Sequence, residues 1–225
     1  PYNDGQYITK ATWFRAYDLP GLVDDGSNLP NPGMPVQDPV FGSYAMAAYG
    51  DVEGGAFSIL VDGLTEDGFL SETKVFGSIA YSKTHPNGNT VNYPDGQGGT
   101  FPYEGMLGST DSETGTSYWI GAQLPVLDGK LGLEYNHGSK YWRPFTYAED
   151  TMAGSKMAVR GDAWEANYTY QINEALSMQL RYVSMDYDYT GSNGFFGNYS
   201  GSTNKISDMK DAASAFTALG GTTVT

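Results

Sequence analysis

The stretch KMAVRGDAWEANYTYQINEALSMQLRYVSMDYDY, Lys156 to Tyr189, decides how the rest of the chain is read. It divides into two long strands, 157–170 and 176–189, joined by a polar turn over 171–175. Strand side chains alternate with a period of two, so Trp164, Ala166, Tyr168 and Tyr170 share one face while Glu165, Asn167 and Thr169 share the other. The second strand repeats this, with Met178, Leu180 and Tyr182 alternating with Ser177, Gln179 and Arg181. A half-exposed sheet in water alternates in the same way. Length and end chemistry favour another setting, since about a dozen residues with Tyr and Trp near the ends match a tilted membrane-spanning strand of about 9–11 residues between aromatic girdles.

Outward from that hairpin, the same period recurs. Residues 6–17 (QYITKATWFRAY) are rich in β-branched and aromatic types, and 56–63 places Phe57, Ile59 and Val61 on one face. Residues 73–83 set Val75, Ile79 and Tyr81 against Lys74, Ser78 and Ser82. Tyr118, Ile120, Ala122 and Leu124 oppose Ser117, Gly121 and Gln123 over 117–126. Beyond an Asp-Gly turn at 127–129, Leu131, Leu133 and Tyr135 oppose Lys130, Glu134 and Asn136 over 130–137. Residues 44–49 suit either a strand or a helical turn or two. Residues 207–219 open on a Ser suited to an N-cap and continue Ala-rich, which predicts a short surface helix.

These seven strands are joined alternately by long irregular stretches (18–55, 84–116, 138–156 and the tail after 189) and short turns (64–72, 127–129, 171–175). Outer-membrane barrels have that asymmetry, with short periplasmic turns and long extracellular loops. The expected fold is therefore all-β, an antiparallel transmembrane β-barrel or a large part of one, in a single domain over 1–225. Seven is odd and bacterial barrels close on even counts, so the chain reads as a fragment of a longer one lacking its closing strand.

Composition agrees with this class. The chain has 30 Gly, 11 Pro and 18 Tyr but 4 Trp and no Cys, which suits a β object with many turns and excludes disulfides and thiolate metal sites. Its 26 acidic and 12 basic residues give a formal charge of −14, which argues against nucleic acid as a partner. No run of 18 apolar residues occurs, so a membrane-spanning helix is not expected, while a barrel's weaker signal is untouched.

The segments GLEYNHGSKYWRPFT (Gly132–Thr146), GSKMAVRGDAWE (Gly154–Glu165) and LSMQLRYVSMDYDYTGSNGFFG (Leu176–Gly197) resemble a family of Gram-negative outer-membrane proteins known only as a domain of unknown function. The resemblance is best over 115–197. It implies a porin-like barrel near the C-terminal end of a longer chain, with a final strand beyond Thr225 ending in an aromatic residue, and it carries over no catalytic residues.

The functional expectation is a porin-like channel in the bacterial outer membrane for passive diffusion of small polar solutes or ions, without enzymatic turnover or cofactor. Its partners are outer-membrane lipid, lipopolysaccharide and those solutes, and homo-oligomers are compatible with it. Lys74, Ser78, Lys130, Glu134, Asn136, Glu165, Asn167, Gln179 and Arg181 are expected to line the pore. Tyr118, Ile120, Leu131, Leu133, Trp164, Tyr168, Met178, Leu180 and Tyr182 are expected to face lipid. Glu134, Glu165 and Arg181 lie on neighbouring strands and can pair with one another instead.

Two alternatives carry specific residues. Asp186-x-Asp188-x-Thr190-Gly191 resembles the start of a calcium loop, as in a calcium-dependent carbohydrate-binding module, but the twelfth position, where a bidentate Glu belongs, is Gly197. A barrel hydrolase would draw on His137 with Ser139, Asp186 and Asp188 at the outer rim. Tyr141, Trp142, Phe145 and Tyr147 suit sugar stacking, an interfacial girdle or loop packing.

Overall fold

The computed structural model describes residues 1–24, 44–89, 91–94, 100–103, 107, 109–145, 154–191 and 203–211. Its strands are β1 (Tyr2–Asn3), β2 (Tyr7–Ala16), β3 (Pro20–Asp24), β4 (Tyr44–Ala48), β5 (Gly50–Asp62), β6 (Lys74–Pro86), β7 (Val91–Pro94), β8 (Thr100–Tyr103), β9 (Thr114–Val126), β10 (Gly129–Gly138), β11 (Gly161–Asn173) and β12 (Leu176–Tyr187). An antiparallel eight-stranded sheet has the order β1-β2-β5-β6-β9-β10-β11-β12, a meander in which each strand lies beside its predecessor in that series. β3-β4 and β7-β8 are separate two-stranded hairpins. They grow from the long connections after β2 and β6.

All seven predicted strands are present, as β2, β5, β6 and β9 to β12. Their limits move where local geometry overrides the alternation. β5 starts at Gly50 rather than 56, and β11 starts at Gly161 rather than 157. Lys156–Ala158 is instead a 3-10 turn, whose preceding Ser155 Oγ accepts the Met157 amide at 3.2 Å. Residues 44–48 resolve as strand β4. The stretches read as irregular contain the two small hairpins, whose strands of four or five residues, with Pro among them, are too short to show a period. Of the helix expected over 207–219, residues 206–211 are helical and 212–219 lie outside the described residues. No helix among the described residues is long and apolar enough to cross a membrane.

The turns set the register. Between β9 and β10, Leu127 and Asp128 both have positive φ, 50° and 59°, the geometry of a two-residue type I′ hairpin whose twist matches the flanking strands. Between β11 and β12, Glu174 and Ala175 form the turn, Asn173 Oδ1 accepts the Ala175 amide at 2.9 Å, and the register shifts between Gln171 and Asn173. The sheet is not closed. β12 is paired along one side only, and β1 covers β2 through two residue pairs, Tyr2 with Thr9 and Asn3 with Ile8.

Little of the sheet is buried in the ordinary way. One buried apolar cluster of Tyr49, Val52 and Leu107, with Leu19 and Phe145 against it, lies at the end of the sheet that carries the long connections, and Trp142, Ala158, Val159 and Ala163 are buried besides. At the same end the connection from β10 to β11 turns back over the sheet. The Arg143 amide donates to Ser82 Oγ on β6 at 3.1 Å, and Ser139 Oγ accepts the Thr116 amide on β9 at 2.8 Å. Gly115 is where this chain passes closest: a Cβ there would lie 2.2 Å from the Tyr141 carbonyl oxygen and 2.3 Å from the Trp142 nitrogen.

Candidate functional site

The pairing register sorts the side chains of the sheet into two sets. Phe76, Gly121, Glu134, Glu165 and Val183 lie in one row across β6 and β9 to β12, and Lys74, Gln123, Gly132, Asn167 and Arg181 in the next. Lys130, Thr169 and Gln179 follow toward the short turns, while Ser78, Trp119 and Asn136 lie toward the long connections. All nine residues expected to line a pore therefore share one face. The nine expected to meet lipid share the other.

On the polar face, Glu165 is the centre of an ion-paired cluster. Its Oε2 receives Lys156 Nζ at 2.5 Å and an Arg181 guanidinium nitrogen at 2.6 Å, and its Oε1 accepts Asn167 Nδ2 at 3.0 Å. Lys156 Nζ also reaches Glu134 Oε2 at 2.6 Å, and the same oxygen accepts the Trp119 indole N–H at 2.9 Å. The Glu165 side chain is only 3% exposed and that of Lys156 8%, so neither charge is tolerated without the other. Lys156 is held in turn by its backbone, whose carbonyl accepts Asn136 Nδ2 at 2.9 Å, while Asn136 Oδ1 accepts Ser117 Oγ at 3.2 Å. Of the expected pairing, Arg181 meets Glu165 directly, while Glu134 joins them through a lysine supplied by the connection. Lys74, farther along the face, pairs with Asp62 at 2.6 Å.

Lys156 was invisible to the strand pattern, because 157–170 reads as one uninterrupted strand and places it at the edge of a loop. Trp119 had a signal: the alternation that exposes Tyr118 and Ile120 on the apolar face sends Trp119 to the polar one. The connection also buries Arg143 and Arg160, which are 2% and 0% exposed. Arg160 Nε donates to the Trp142 carbonyl at 3.0 Å, and one terminal nitrogen reaches the Thr190 carbonyl at 2.9 Å and Thr203 Oγ1 at 3.1 Å. Burial pulls Arg143 down to about 10 and, with Arg143 nearby, Arg160 down to about 9, which leaves both charged at neutral pH.

The opposite face is apolar and open. Leu180 is 73% exposed, Tyr182 69%, Ile79 63% and Ile120 53%. Toward the long connections this band stops at a row of ionisable groups, with Arg15 against Asp51 at 2.8 Å, His85 against Glu53 at 3.5 Å and His137 against Asp162 at 2.8 Å.

That row revises the hydrolase expectation. His137 Nδ1 engages Asp162, which also accepts the Tyr135 hydroxyl at 2.5 Å, and not Asp186 or Asp188. Ser139 Oγ holds the Thr116 amide. Among the described residues, the hydrogen bonds of His137 and Ser139 go to Asp162 and Thr116 and do not join the histidine to the serine or to the two aspartates. Of the calcium loop, the backbone of Asp188 and Thr190 is tied to Arg160, Ile206 and Asn204, residues 192–197 lie outside the described residues, and no group of three or more His, Asp or Glu that could hold a metal ion occurs among the described ones. Trp142 is buried, with its indole N–H on the Met157 carbonyl at 2.8 Å, and Phe145 packs edge-on against Phe14 at 5.1 Å, so these two serve loop packing rather than sugar stacking. Tyr147 lies outside the described residues.

Over residues 1–221 the chain matches the family model described as Protein of unknown function (DUF3373), and it belongs to that family. No curated protein matches it, and no solved structure does.

Proposed function

We propose that this chain forms the wall of a porin-like β-barrel in the bacterial outer membrane, through whose polar interior small polar solutes or ions diffuse passively. The observation that carries this reading is the inverted polarity of the sheet. In water, a sheet buries its apolar face under a second layer and leaves its charged face wet. Here the additional chain lies on the polar face, over Glu134 and Glu165, while large side chains such as Ile79, Ile120 and Leu180 have no layer over them among the described residues. Burial of each such side chain contributes about 1.5–3 kcal/mol, so a whole face of them left in water is a large unrealised stabilisation. Hydrocarbon resolves it.

Strand length and direction support the same reading. The seven long strands have 10 to 13 residues, enough for the about 9–11 that a tilted strand needs to span a bilayer. The turns 127–128 and 174–175 lie at one end and the long connections at the other, as in outer-membrane barrels. β2 and β12 run in the same direction, so antiparallel closure between them takes an odd number of intervening strands and gives an even total. β1, antiparallel to β2, stands where one such strand belongs.

Fractionation and gel mobility test the reading. The full-length protein should partition with outer membranes, require detergent, and run on gels with heat-modifiable mobility. Recovery as a water-soluble monomer without detergent would refute it. In planar bilayers the protein should give open-channel steps, and a sealed, non-conducting barrel would move the function to a structural or adhesive role.

A further inference from the structure

The polar face holds a cleft of about 340 Å³ between β6 and β12, which falls in the range of about 300–1,000 Å³ typical of small-molecule sites. Glycine makes part of its floor. A Cβ at Gly121 would lie 2.5 Å from two atoms of the Phe76 ring, so the ring crosses onto β9 only because residue 121 has no side chain. Trp119 backs Phe76 at 4.6 Å between ring centroids, tilted by 44°, and its indole N–H is fixed on Glu134. An aromatic ring on the wall of an otherwise polar cleft gives no advantage if the cleft only has to hold water. It suits a solute with an apolar face.

The rest of the lining narrows the class of solute. Gln123, Asn167 and Gln179 contribute amides, and Glu134, Glu165 and Arg181 contribute planar charged groups. The charges cancel: two carboxylates face Lys156 and Arg181, and each carboxylate lies within 2.6 Å of a cation. A site for a free anion or cation needs a surplus of one sign, and this cluster has none. A zwitterion would have to displace Lys156 or Arg181 from carboxylates that they already neutralise. A sugar ring needs neither, because its C–H face packs on an aromatic ring while its hydroxyls donate to and accept from amide and carboxylate groups whose orientation is already fixed.

We propose that this cleft is a binding station for a neutral, hydroxyl-rich solute of mono- or disaccharide size, with Phe76 as the stacking surface. The proposal rests on the channel reading, and specifies what passes. Binding is weak, as conduction requires, because a solute held tightly would block its own path.

The test uses the full-length protein in planar bilayers, with glucose and maltose as probes and free alanine as the zwitterionic control. The sugars should interrupt the ion current in a concentration-dependent way, and alanine should not. Phe76→Ala should raise the half-interrupting sugar concentration about tenfold, read for each variant as interrupted against its own open-channel current, and Phe76→Tyr should restore it. Should Phe76→Ala lack the parent's heat-modifiable mobility, Phe76→Leu, which keeps the volume and loses the ring, takes its place. Current steps indifferent to sugar, or interrupted equally by alanine, would overturn the proposal and leave the channel intact. If no current is seen at all, calorimetric titration of glucose into the detergent-solubilised protein and the same variant decides the cleft separately: Phe76-dependent heat supports it, and its absence rejects it.

Discussion

Lys156 carries more of the polar face than any residue within the strands, because it is the cation between two carboxylates on neighbouring strands. Lys156→Ala leaves Glu134 without that cation and Glu165 with Arg181, whose side chain is 33% exposed. Removing one partner of a buried pair costs about 3–5 kcal/mol, and thermal or urea unfolding should show a loss of that order, partly recovered when Glu134→Gln is added. Opposite in polarity, Leu180→Arg puts a charge on the apolar band and should cost about 2–4 kcal/mol in a bilayer near its midplane. In refolding into lipid vesicles, an unchanged stability would contradict a lipid-facing Leu180. Asp4 gives a pH dependence outside the strands. Its carboxyl is held below the usual range chiefly by the Tyr7 amide at 2.6 Å and then by the Tyr2 hydroxyl at 2.9 Å, with the Gln6 amide also donating. A folded pKa below the unfolded one means that this stabilisation is complete above the ordinary carboxylate pKa and disappears as pH falls through the folded value. Protection of the Gln6 and Tyr7 amides, measured against the intrinsic exchange rate at each pH, should therefore fall in acid, and Asp4→Asn should abolish that pH dependence.

Among the elements, the β10–β11 connection determines what the polar face presents. It supplies Lys156, buries Trp142 and Arg143, and rests on β9 through Gly115, where added carbon would meet backbone that cannot rotate away. Gly115→Val should lift the connection from the sheet at a cost of about 1–3 kcal/mol, as overpacking does. Limited proteolysis within 139–160 should become faster, and in the proposed channel single-channel conductance should rise. Unchanged proteolysis would mean that the connection is not seated on Gly115. The hairpins behave as their turns dictate: Leu127 occupies a left-handed position that suits Asn or Gly better, and it does so because β9 and β10 need a type I′ turn for their twist.

For the whole molecule, the charge distribution predicts what the proposed channel would pass. The polar face mixes Lys74, Lys130, Lys156 and Arg181 with Asp62, Glu134 and Glu165, so a filter for a single ion is not expected from the wall itself. The acidic excess belongs to the long connections. Asp18, Asp111 and Glu113 are at that end, while Asp25, Asp38, Asp95 and Glu104 lie outside the described residues. A negative mouth concentrates cations, and salt screens it over a Debye length of about 10 Å at 0.1 M. Reversal potentials should show a mild cation preference that declines as ionic strength rises. A preference independent of salt would locate the selectivity within the wall.

The seven strands, their two faces and the alternation of short and long connections were legible in the sequence because each depends on a local rule, the two-residue period of an extended chain or the residue demands of a turn. Pairing register then followed almost automatically, since a slip of one residue would have sent Glu165 and Arg181 to the apolar face. The site was legible only in part. Glu134, Asn136, Glu165, Asn167 and Arg181 are strand residues and fell on the expected face, whereas Lys156 and the seating of 139–145 depend on where a long connection lands, which no periodicity encodes. The partner of His137 was also a tertiary matter: Asp162 is distant in sequence and directly opposite in the β10–β11 register, while Asp186, which looked equivalent as a motif, lies one strand farther on. Alternation assigns a side chain to a face. Only the order and pairing of the strands decide which side chains on that face come within a hydrogen bond of each other.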